Sequence, residues 1–138
     1  MFASLPLLAL PVLIYNLFVF TSVGRPPDLA EAHMSQILAT VDMANNGKWV
    51  VHTGDLFVFS TVVILFIELL KSTQSGRVAI INHSLSMLLF IGCLVEFLLH
   101  RNFATSTFFL ITAMVLLDVL AGFIVSIASA RREVDIVR

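Results

Sequence analysis

Asp118 is isolated in the sequence: no other charged residue falls within ten positions on either side, and its neighbours Leu116, Leu117, Val119 and Leu120 are apolar. A carboxyl group set in such a run can hold a proton, bind a cation or hydrogen-bond a neighbouring helix. It is not there by default, because an acid at the centre of a membrane helix costs about 2.5–3.5 kcal/mol on insertion scales. Gly122 and Ser126 follow at four-residue steps, giving a small-residue face where a second helix can come close. The expectation is that Asp118 points into a helix–helix contact, within one bundle or between two copies, with Asn16 as its nearest partner by type.

A second group combines His52 and Asp55 with Glu96, His100 and Arg101. Gly92, Glu96 and His100 are four apart, so on a helix they stay on one side. Two carboxylates, two imidazoles and a guanidinium at one depth could form an ion-pair cluster that fixes two helices together, or a site that handles protons or a ligand. A third group is basic. Glu68 can reach Lys71 along one helical face, and Lys71, Arg77, Arg131 and Arg132 form a rim able to attract anionic headgroups by about 1 kcal/mol each. His83 is expected nearby as a wet interfacial residue.

Other chemistries find little support. A net charge of −1 gives no basic patch for nucleic acid. The single Cys93 and four scattered His have no metal spacing, so no metal site is expected. His52 and His100 meet only the depth condition of a bis-imidazole haem site, which leaves haem b as an alternative that a coloured protein would reveal. The pair Gly54–Asp55 lacks the second glycine of an intramembrane aspartyl protease motif, since His52 stands there. With no nucleophile elbow, P-loop or dinucleotide fingerprint, the chain is not expected to be an enzyme.

The elements that position these residues follow from composition. Hydrophobic residues make up 59% of the chain and charged ones 12%, with a mean hydropathy of +1.00, so lipid must take the apolar excess. Four runs, at about 2–21, 50–70, 79–99 and 107–130, match the roughly 20 helical residues that cross a bilayer. The fold expected is an all-α integral membrane protein, one domain with a four-transmembrane-helix bundle. The first run has no basic flank and a poor cleavage site, so it is expected to be retained as a span rather than removed as a signal. Pro6 and Pro11 lie within it.

Orientation follows the Lys/Arg bias of short loops. Lys71, Arg77, Arg131, Arg132 and Arg138 fall on one side, against Arg25, Lys48 and Arg101 on the other, so both termini are expected in the cytoplasm. The long connection then lies outside. Ala30, Met34, Ile37 and Val41 recur at helical spacing, predicting a short amphipathic helix over about 29–44 that stops at Asn45–Asn46–Gly47. Trp49 and Lys48 suit an interfacial anchor.

From Trp49 to Glu133 the chain resembles small four-helix bacterial inner-membrane proteins of no known function. The resemblance is carried by Gly54–Asp55–Leu56, Glu68 with Lys71–Ser72–Thr73, His83–Ser84–Leu85–Ser86, Ala104–Thr105–Ser106–Thr107–Phe108–Phe109, Asp118 with Gly122–Phe123, and Ala130–Arg131–Arg132. It implies the topology and an inner-membrane setting, without a chemistry. Small multidrug transporters match in size but carry an acid in their first helix, where this chain has none. The expected role is a non-catalytic subunit, scaffold or assembly factor for a membrane partner; the alternative is a small oligomeric channel or proton-coupled transporter working through its membrane carboxylates.

Overall fold

Proline has no N–H to give, so a helix accommodates it best in the first turn, where that donor has no intrahelical partner. The first helix, α1 (Ala9–Thr21), starts accordingly. Pro11 sits in its first turn, after a lead-in held by Ala9 N–H to Pro6 O at 3.1 Å and Leu10 N–H to Leu7 O at 3.0 Å. The computed structural model describes residues 5–21, 29–72 and 77–136, with the side chains at 72, 77–79 and 129–136 outside that description. Its 13 residues make α1 shorter than the span expected over 2–21. It buries Leu8, Val12, Tyr15 and Val19, alternately four and three apart, and exposes Leu10, Leu13, Leu17 and Phe20.

The connection corrects the amphipathic helix expected over 29–44. Only α2 (Leu29–Met34) is helical, and a hairpin of β1 (Ile37–Asp42) and β2 (Lys48–His52) follows. The strands pair antiparallel, with Val41 opposite Trp49 and Asp42 opposite Lys48. Two signals outweigh the helical spacing. Period-two alternation through Lys48–Trp49–Val50–Val51–His52 fits a ribbon, and Asn45–Asn46–Gly47 is a hairpin turn rather than a helix stop. Asn46 takes φ 63°, a left-handed conformation that asparagine tolerates. Met43 N–H closes the loop onto Gly47 O at 2.8 Å, and Gly47 N–H bonds Asn45 Oδ1 at 2.9 Å.

Three long helices complete the chain: α3 (Thr53–Ser72), α4 (Arg77–Leu99) and α5 (Ser106–Ile136). Among the described residues, three segments within them are long and apolar enough to cross a membrane: Thr53–Lys71, Ile80–Leu99 and Ser106–Ala128. At 1.5 Å per residue, each matches a hydrocarbon core of about 30 Å. The second expected run therefore starts at Thr53 rather than Val50, because Trp49–His52 belong to the hairpin. A 3-10 turn, Arg101–Phe103, joins α4 to α5.

The long helices bury small and polar residues and expose large apolar ones. On α3 the buried positions are Gly54, Thr61 and Glu68, at seven-residue spacing, while Leu56, Phe59, Val63, Phe66 and Leu70 are exposed. On α4 the buried positions are Asn82, Ser86 and Cys93. In water such a surface would be unstable; against lipid tails it is not, and small interior residues let helices approach. The interior hydroxyls stay satisfied by bonding their own helix: Thr61 donates to Phe57 O and Thr112 to Phe108 O, both at 2.9 Å. The helix α5 is the central one, packing on both α3 and α4. Gly54 brings α3 close, since a Cβ there would lie 2.6 Å from Thr107 Oγ1 and 3.1 Å from Met34 O.

Candidate functional site

The most heavily bonded side chain is Glu68, which is fully buried. Its position on the polar stripe of α3 aims it at α4 and at the lead-in to α1. Asn82 Nδ2 donates to Oε1 at 2.6 Å, and Leu7 N–H donates to Oε2 at 2.9 Å. Lys71, three residues on, lies 3.3 Å from Oε1 and also donates to Asn82 Oδ1 at 3.2 Å and Leu5 O at 2.6 Å. The spacing anticipates the Glu68–Lys71 pair. It gives no hint that the pair ties three chain segments together and caps the start of the first helix. Of the expected basic rim, Lys71 is thus a structural tie, while the side chains of Arg77, Arg131 and Arg132 lie outside the described residues.

One turn further along α4, Ser86 Oγ donates to Asp118 Oδ2 at 2.7 Å. Asn16, the partner expected by residue type, is engaged elsewhere. Both Ser86 and Asp118 are fully buried, and Asp118 Oδ1 has no hydrogen-bond partner among the described residues. His83, Glu68 and Lys71 lie within electrostatic reach of this carboxyl. His83 is not the wet interfacial residue expected: its ring packs against the bare Cα of Gly122, in space a Cβ would occupy. A small cavity of about 290 Å³, lined by His83, Ser84, Met87, Gly122 and Ser126, opens beside it. The close approach foreseen at Gly122 admits a ring rather than another backbone.

At the other end of the bundle the polar groups do not form the single network expected. His52 and Asp55 pair locally, with Asp55 Oδ2 accepting from His52 N–H at 2.8 Å and lying 3.1 Å from Nδ1. Asp55 is exposed in the first turn of α3, where its charge suits the helix N-terminus. Glu96 instead accepts from Asn16 Nδ2 at 3.0 Å. His100 sets its ring edge-on to Phe103, with centroids 6.1 Å apart. Among the described residues no printed contact joins the two imidazoles, nor does any group of three or more His, Cys, Asp and Glu gather to hold a metal. The expected cluster fails because Asp55 turns back on its own helix start, while Glu96 faces α1.

Tyr15 was not marked by its spacing, yet it organises this end. It is fully buried, its hydroxyl lies 2.6 Å from Thr105 Oγ1, and its ring meets Phe57, Phe103 and Phe108 at centroid distances of 4.9–6.0 Å. Thr105 in turn caps α5, accepting Phe108 N–H at 3.1 Å. Tyr15→Phe removes one buried hydrogen bond and leaves the packing. An unfolding titration in detergent should show a loss of about 0.5–1.5 kcal/mol; no loss would mean the hydroxyl pair is not a tie. Comparison with protein-family models, with curated proteins and with solved structures finds no match to this chain.

Proposed function

We propose that this chain is a four-span bacterial inner-membrane protein with both termini cytoplasmic. Its role is that of a non-catalytic subunit, scaffold or assembly factor, and it holds a membrane partner through the exposed hairpin. The three long apolar helices support contact with a bilayer. A fourth crossing is supported by the reach of the first segment, with Leu7 beside Glu68 at one end and Tyr15 beside Thr105 at the other. Orientation rests on the Lys/Arg balance, and the bacterial setting on the resemblance.

The hairpin carries the reading. Its two faces differ: Ala39, Val41, Trp49 and Val51 lie on one, Thr40, Asp42, Lys48 and Val50 on the other. All six residues of β1 are exposed, and Trp49 is 55% exposed. An isolated two-stranded ribbon is marginal in water, and an apolar face on it calls for cover. Photo-crosslinkers at Val41 and Thr40 probe this in native membranes. A single protein adduct from position 41, absent from position 40 and lost in Trp49→Lys, is the expected result. Labelling of lipid alone would overturn the subunit role and leave the ribbon an interfacial anchor.

A second reading, the small oligomeric proton-coupled transporter, is favoured by one observation: the unpartnered Oδ1 of Asp118. Proton flux into proteoliposomes that Asp118→Asn abolishes, with assembly unchanged, would raise it above the first. Absence of flux in the unsubstituted protein would remove it.

A further inference from the structure

Between α1 and α4 runs an open groove of about 480 Å³. Leu13, Leu17, Leu88, Leu89 and Gly92 line its length, and the Asn16–Glu96 pair stands in it. Gly92 is exposed there, and a Cβ on it would meet nothing within 4 Å. From Glu96 to Leu88 the wall covers eight residues, about 12 Å of helix rise. Beyond that, the ties of Glu68 to Leu7 and of Lys71 to Leu5 close the first segment against the bundle.

We infer that this groove is a lipid site that seats one acyl chain of an aminophospholipid, with its ammonium headgroup on Glu96. Two features fix the occupant. The length suits an amphiphile from one leaflet, whereas a transmembrane helix would need a surface of about 30 Å. The polarity is that of a lipid: the carboxylate lies about one turn from the end of α4, and the apolar wall leads inward from it. Asn16 occupies only Oε2 of Glu96. An ammonium group supplies the donors and the opposite charge that a carboxylate at this depth attracts, and a purely anionic headgroup supplies neither. His100 and Arg101, exposed at the same rim, set basic groups where the lipid phosphate lies.

The inference rests on the reading of α1 as a membrane segment and is independent of any protein partner. Its test uses the full chain in nanodiscs of equimolar phosphatidylethanolamine and phosphatidylglycerol, each with a photoactivatable acyl chain, reading the label on the 88–96 segment. Phosphatidylethanolamine should label that segment about two- to fivefold more than phosphatidylglycerol, the ratio expected of a partly solvated ion pair. Glu96→Gln should bring the ratio to parity with total labelling retained. Gly92→Leu, which fills open space and spares the fold, should abolish labelling by both lipids. Equal labelling in the unsubstituted protein, a preference that survives Glu96→Gln, or undiminished labelling of Gly92→Leu would each overturn the site. Failure here leaves the hairpin crosslinks unaffected, so the two readings stand or fall separately.

Discussion

Glu68→Leu should lower the unfolding free energy in detergent by about 3–5 kcal/mol, the range for removing one partner of a buried ion pair. The large figure follows from what is stranded. Lys71, whose side chain is only 20% exposed, loses its counter-ion, Asn82 loses an acceptor, and the Leu7 N–H is left without one. Charge is separable from hydrogen bonding here. Glu68→Gln keeps an acceptor for Asn82 or Leu7 and should cost less than the leucine variant. Combining Glu68→Leu with Lys71→Met removes both charges together and should recover part of the loss, since replacing a whole buried pair by apolar groups is often near neutral. A leucine variant as stable as the parent in a denaturant titration would show that the tie between α1, α3 and α4 does not hold the bundle.

The next largest effect should come from Gly122, whose bare Cα is the seat of the His83 ring. Gly122→Ala places a methyl group where the imidazole lies, so the ring must leave or the helices must part. Overpacking of this kind costs about 1–3 kcal/mol. The site beside it should respond too, because Ser86 and Asp118 lie one turn from His83 and Gly122 along their helices. A double-mutant cycle isolates the contact. With His83→Ala in the background, Gly122→Ala should cost clearly less than it does alone, since contacting residues couple. Additive costs in the cycle would mean that the ring and the glycine are not in register.

How far these features can be read from the sequence depends on what kind of signal each leaves. Long apolar runs give the three long helices directly, because only lipid accepts that much exposed leucine and phenylalanine. The Glu68–Lys71 pair is legible because it is local. The partner of Asp118 was not, since Ser86 is 32 positions away and many serines compete. A usable hint existed in α4, where Asn82, Ser86 and Cys93 share one face of an otherwise bulky helix. The hairpin was misread for a different reason: four apolar residues at helical spacing also fit a ribbon, and only the turn chemistry of Asn45–Asn46–Gly47 separates the two. Glu96 was placed at the right depth but given the wrong neighbour, because depth says nothing about the rotation of a helix about its axis.

The account depends most on the first segment crossing the membrane, since Leu7, Tyr15 and Asn16 tie that segment to all three long helices. Single cysteines at Ser4, Asn45, Ser72 and Val137, in a Cys93→Ser background, can be tested with a membrane-impermeant thiol reagent on intact cells and on inverted vesicles. Four crossings with cytoplasmic ends predict labelling from outside at position 45 alone, with positions 4, 72 and 137 reached only in inverted vesicles. Labelling of positions 4 and 45 from the same outer side, with position 137 inside, would leave three crossings and contradict the account.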